Sequence, residues 1–212
     1  MNMKRWVISA CAIGAMVVGA ARPAEAALVA YGTSGQFDCG VVAGCVAAVD
    51  GTTGVATVTL GGTTLEFTRV ALSIKDVPPP TSISFGEIAT LSSGGEELSG
   101  IGFTLNIHQG FPTIDNASLV GSISGQIQVF NSTAFLVFDA SNLSAHLPPF
   151  LYTITSADDL AGTQGTVALL TPSDGANVIE GRVDLVPEPA SMLLFGTALL
   201  GMGVVRRRYS VA

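Results

Sequence analysis

Basic side chains are scarce in this 212-residue chain. Nine lysines and arginines face 16 aspartates and glutamates, a net charge of −7. Nucleic-acid affinity rests on Lys and Arg neutralising phosphates, so no nucleic-acid partner is expected. Charged residues make up only 12% of the chain, about half the usual share. The 48% hydrophobic content nevertheless excludes a disordered polymer. Histidine occurs twice, at His108 and His146, outside any H-E-x-x-H pattern. A G-x-S-x-G elbow is also missing: Gly121-Ser122-Ile123-Ser124-Gly125 places isoleucine where the nucleophile belongs. No D-x-[DN]-x-[DN]-G calcium loop occurs. Glu96-Glu97 and Asp158-Asp159 read as loop charges, and nothing fixes either pair, or Glu87, as the acid pair of a glycosidase. The expectation is therefore no catalytic residue, no metal site and no cofactor. The single tryptophan is Trp6, which leaves Tyr31 and Tyr152 as the central chain's tyrosines for stacking on sugars.

What is present concentrates at the two ends. Lys4 and Arg5 precede an apolar run over residues 7–21, and Ala24-Glu25-Ala26 forms a small-x-small site before Ala27. This is the pattern of a secretory signal peptide over residues 1–26, with cleavage between Ala26 and Ala27. A retained anchor is disfavoured by the short run and by Pro23 behind it. A lipobox at Ile8-Ser9-Ala10-Cys11 is disfavoured because too few residues precede it and the apolar run continues past Cys11.

At the other end, Val186-Pro187-Glu188-Pro189 precedes the uncharged residues 190–205, and Arg206, Arg207 and Arg208 follow. As a helix, those 16 residues would span about 24 Å, against a hydrocarbon core of about 30 Å. Snorkelling arginines and local bilayer thinning close that gap. The arginines favour the cytoplasmic side, which leaves residues 27–186 on the exported side. Both prolines resist helix continuation, so the motif is expected as an extended segment just outside the bilayer.

This three-part tail resembles the PEP-CTERM sorting signal of Gram-negative bacteria. The resemblance covers residues 186–212: Pro187, Glu188 and Pro189, an apolar segment, then the basic cluster Arg206, Arg207 and Arg208. It implies a membrane-embedded processing enzyme, an exosortase, that recognises the tail and removes it. It also implies an inner-membrane intermediate held by residues 190–205, and delivery to the cell surface or extracellular matrix of an exopolysaccharide producer.

Between the ends, residues 27–185 read as one domain of short strands. Residues 55–60 and 64–70 alternate apolar and polar around Gly61-Gly62, a hairpin signal. Ile83, Phe85, Ile88 and Leu91 suggest a strand with a bulge at Gly86. Ile101, Phe103, Leu105 and Ile107 give the cleanest period of two. Residues 119–130 carry Ile123, Ile127 and Val129, and residues 135–138 form an apolar run expected as a buried central strand. Residues 152–154, 166–170 and 178–186 complete the set, while residues 27–53 are weakly patterned and expected as an edge loop. Pro78-Pro79-Pro80, residues 92–95 and Pro148-Pro149 punctuate the strands. The expected class is all-β, an antiparallel β-sandwich with jelly-roll topology as one form. Phe85-Gly86-Glu87-Ile88, residues 103–107 and residues 127–138 faintly resemble the choice-of-anchor extracellular β domains found upstream of surface-sorting tails.

Cys39 and Cys45 are the two cysteines left once Cys11 departs with the signal peptide, and an even count in an exported protein favours a disulfide. The exported segment holds Arg69, Lys75 and Arg182 against 14 acidic residues, a net charge of −11. Such a surface keeps the domain soluble by self-repulsion. The leading functional expectation is a non-enzymatic surface or matrix protein with a structural or adhesive role in exopolysaccharide or biofilm. A polysaccharide-binding module, with a groove including Tyr152, and a secreted hydrolase with a Ser–His pair in a pocket are the rivals.

Overall fold

The computed structural model describes residues 27–77, 80–156 and 164–186, together with Thr197. Among the described residues, thirteen strands pair antiparallel into two sheets that pack as a sandwich. The first sheet contains β1 (Ala27–Asp38), β5 (Ser73–Val77), β7 (Ile101–Phe111), β8 (Asp115–Ser124), β9 (Phe135–Phe138) and β12 (Thr166–Ala168). Its order is β12-β9-β8-β7-β1-β5. The second contains β2 (Val46–Val49), β3 (Ala56–Leu60), β4 (Thr63–Thr68), β6 (Thr81–Ser92), β10 (Ser144–Leu147), β11 (Phe150–Ile154) and β13 (Ala176–Leu185). Its order is β10-β11-β13-β6-β4-β3-β2.

Period-two patterning sets the core. Ile101, Phe103, Leu105 and Ile107 on β7 are each at most 1% exposed, and they face inward with Leu119 and Ile123 of β8. Opposite them lie Leu65 and Phe67 of β4, Phe85 and Ile88 of β6, and Ile179 and Val183 of β13. Two aromatic clusters join the layers. Phe103 meets Phe37, Phe67 and Phe138 at centroid distances of 5.0, 5.2 and 6.2 Å. Tyr152 meets Tyr31, Phe85 and Phe150 at 6.2, 6.5 and 6.4 Å. Tilted and edge-on contacts of this kind suit the ring quadrupole and add to the area term.

Glycines set the register where the pattern breaks. Gly61 and Gly62 have φ of 54° and 91°, both positive, as a two-residue hairpin turn of the primed kind requires. Leu60 and Thr63 then pair directly across the expected hairpin. On β6 the pairing with β13 slips between Val178 and Glu180, opposite Gly86 at φ 130°. This bulge lets Phe85 and Ile88, three positions apart, both enter the core while Glu87 points out. A second slip, where Thr64 pairs Ser92 and Leu65 pairs Thr90, leaves Leu91 on the surface at 54% exposure, not on the inward face.

Three further expectations are corrected. The weakly patterned start is not an edge loop. β1 lies inside the first sheet between β7 and β5, with Val29, Tyr31, Thr33, Gly35 and Phe37 inward. Its period is hidden because Thr and Gly occupy two of the inward positions. The strand expected over residues 119–130 ends at Ser124. Ile127 is buried from a loop, while Val129 is exposed. Residues 135–138 form β9, inside the sheet between β8 and β12 as expected, but they are covered on one face only: Leu136 and Phe138 are buried and Val137 is exposed.

Candidate functional site

Among the described residues, the last strand is β13. Leu185 pairs with Phe150 of β11, and the Val186 amide donates to the Pro149 carbonyl at 2.8 Å. Beside this exit the Thr113 hydroxyl donates to the Pro148 carbonyl at 2.6 Å. The Gln109 amide nitrogen donates to that carbonyl at 3.0 Å and to Thr113 Oγ1 at 2.9 Å. The Gln109 Oε1 accepts from the Tyr152 hydroxyl at 2.8 Å. Gln109 and Tyr152 are both buried, so this network braces the β7–β8 turn against the β10–β11 turn without presenting a free polar group. Burial raises the Tyr152 phenol well above its ordinary range, with Tyr31 adding to the effect. Burial likewise raises Tyr31, whose hydroxyl donates to the Ser84 carbonyl at 3.1 Å. The rival reading of a sugar groove that includes Tyr152 does not hold for that residue: neither it nor Tyr31 reaches the surface, because both fill the space between the sheets.

On the outer face of the first sheet, cross-strand register brings together three residues that the sequence does not group. His108 pairs with Gly32 and Asn116 on its flanking strands. Its Nε2 lies 3.0 Å from Ser34 Oγ, and its Nδ1 lies 2.6 Å from Asn116 Oδ1. A carboxamide oxygen only accepts, so Nδ1 is the ring nitrogen that donates to Asn116, and Nε2 faces the Ser34 hydroxyl. The order is that of a nucleophile, a base and an orienting group. The surroundings differ from a hydrolase site. The row lies on an open strand face, and the strands that carry it are paired in the sheet ladders. Clefts of about 520, 460 and 230 Å³ lie elsewhere, and neither histidine lines any of them. His146 is exposed on β10. The 520 Å³ cleft borders the Cys39–Cys45 disulfide, which is formed with the Cα atoms 5.6 Å apart. The 230 Å³ cleft is lined in part by Phe130, Asn131 and Asp174, and Phe130 is 91% exposed. Among the described residues no three His, Cys, Asp or Glu side chains gather as a metal site.

The exit at Leu185 leads directly into the tail, and residues 185–208 match the family model of the PEP-CTERM protein-sorting motif. The chain carries a PEP-CTERM sorting motif. It is thus an exosortase-sorted, exported protein of a Gram-negative bacterium that transits the membrane, with an exosortase as its processing partner. No curated protein and no solved structure matches the chain. The motif residues Pro187, Glu188 and Pro189 and the cluster Arg206, Arg207 and Arg208 fall within the matched span and outside the described residues. The expected membrane segment, residues 190–205, is likewise outside them except for Thr197, and among the described residues no helix is long and apolar enough to cross a membrane. The signal peptide with Ala24 and Ala26 also lies outside, and Ala27 opens β1.

Proposed function

We propose that the sandwich is a non-enzymatic structural or adhesive component of the cell surface or exopolysaccharide matrix, released from the membrane by cleavage near Pro187-Glu188-Pro189. The observation that carries this reading is the position of the PEP-CTERM motif relative to the fold. The PEP-CTERM match begins at the last residue of β13, and among the described residues the last backbone hydrogen bond is made by Val186. Every strand among the described residues lies before that point, so cleavage there keeps all of them in the released chain. The satisfied polar network at the exit and the open strand face that carries the His108 row support a binding or structural body over an enzyme. Deleting residues 187–212 tests the reading. Surface or matrix delivery is expected to stop, and unchanged delivery would overturn it.

A second reading, polysaccharide binding, is favoured by one feature. Phe130 is a highly exposed aromatic ring at the rim of the cleft holding Asn131 and Asp174, where a sugar ring could stack beside polar hydrogen-bonding groups. Co-sedimentation with the producer's exopolysaccharide, lost in Phe130→Ala, would support it; equal sedimentation of the two forms, or none by either, would exclude it.

A further inference from the structure

The connections at the exit end gather both ends of the sandwich and a cluster of exposed apolar side chains. Ala27 pairs with Val77, and the segment after Val77 leads to Thr81, which pairs with Val183 near the exit. Ala30 pairs with both Ile74 and Phe111, so the three share the outward face of the first sheet. Leu28 lies two positions along on that face, paired with Asp76 of β5. A Cβ placed on Gly110 would meet Leu72 side-chain carbons at 3.5 Å and the Ala30 Cβ at 3.7 Å, which places Leu72 over the same spot. Leu28, Leu72, Ile74 and Phe111 are 52, 63, 71 and 47% exposed, and Ile114 in the adjoining turn is 88% exposed. Ile114 neighbours Thr113, which bonds Pro148, and Pro149 bonds Val186.

Soluble domains seldom leave exposed apolar side chains gathered in this way uncovered, least of all beside an edge strand such as β5. We infer that this apolar end seats in the headgroup layer on the exported side of the inner membrane while the tail holds the chain. The inference rests on the sorting reading above. The length of the tether selects the bilayer as occupant. Four residue steps separate Val186 from Ala190, where the apolar run starts, a reach of at most about 14 Å whatever their conformation. An apolar run shorter than the hydrocarbon core draws that tether inward and shortens the reach further. Amphipathic surfaces bury roughly 5–10 Å into the headgroup boundary, a depth the tether permits. The domain's net charge of −11 opposes attraction to anionic headgroups, so the contact is apolar.

The test uses the full chain reconstituted through its tail into vesicles of phosphatidylethanolamine and phosphatidylglycerol. A nitroxide is attached at Ile114→Cys or, as a control on the far end of β6, at Leu91→Cys. In vesicles the label at 114 should lose accessibility to an aqueous nickel complex several-fold and gain accessibility to oxygen, while the label at 91 stays water-exposed. Adding Leu72→Ser and Ile74→Ser should return the label at 114 to water. Equal water exposure of both labels in chains that float with the vesicles would overturn the docking and leave the tail reading intact. Chains that fail to float would overturn both. Protection at 114 that grows with the chain-to-lipid ratio, accompanied by label–label broadening, would place a second copy on the patch and overturn the bilayer assignment.

Discussion

Replacing Tyr152 by phenylalanine removes one oxygen from the brace at the exit end and little else. The ring keeps its contacts with Tyr31, Phe85 and Phe150, whereas Gln109 Oε1 loses its donor while remaining buried. An acceptor stranded in this way costs about 1–3 kcal/mol. The urea midpoint should fall accordingly with an unchanged m-value, since the surface exposed on unfolding is the same. In the Tyr152→Phe, Gln109→Leu double variant the stranded acceptor is gone, so its loss should be smaller than the sum of the two singles by about 1 kcal/mol. The phenol also predicts a pH dependence. Its pKa is raised in the fold, so above the unfolded value of about 10 the folded state holds more protons than the unfolded one. Stability from this source is full below pH ~10 and falls as pH rises, by at most about 1.4 kcal/mol per pH unit for each such tyrosine. Tyr31 contributes in the same direction. The variant should show a shallower alkaline decline than the native protein, measured as urea midpoints across that range. A loss below about 0.5 kcal/mol, additive singles, or identical alkaline slopes would refute the network.

Further outcomes follow from other elements. Gly86→Ala forces a Cβ to within 2.6 Å of the Phe67 ring at a φ of 130°, and chemical denaturation should show a loss of about 1–3 kcal/mol. Reducing Cys39–Cys45 opens a short loop and should cost about 2 kcal/mol without unfolding, because β1 stays paired with β7 and β2 with β3. Asp50 is held below its ordinary range by the Thr52 amide and by the Thr53 hydroxyl and amide, so its turn should be intact at neutral pH and lose those bonds on acidification through that lowered pKa. Amide exchange at Thr52 reports this. Ser34→Ala should leave p-nitrophenyl acetate turnover at the level of the native protein, and a drop of tenfold or more would make the His108 row catalytic.

Legibility followed locality. The β3–β4 hairpin could be read because its turn chemistry and both strands fit within 13 residues, and β7 because four large apolar residues alternate without interruption. β1 could not, since Thr33 and Gly35 take inward positions where a close neighbour, the Phe67 ring over Gly35, supplies the bulk. Ile127 imitated a continued strand because burial from a loop and burial from a sheet leave the same residue type. The Ser34–His108–Asn116 row was beyond reach. Ser34 and His108 are 74 positions apart, and only the register of three strands aligns them. The cysteine pair and the terminal motif needed no fold to be recognised, because short spacing or fixed order carries each of them.

The central claim is that the sandwich is cut free just past β13. Intact-mass analysis of the protein recovered outside the cell tests it most directly. The account predicts a chain that starts at Ala27, ends at or close to residues 187–189 and lacks Arg206, Arg207 and Arg208. A recovered chain that runs on to Ala212 would contradict it.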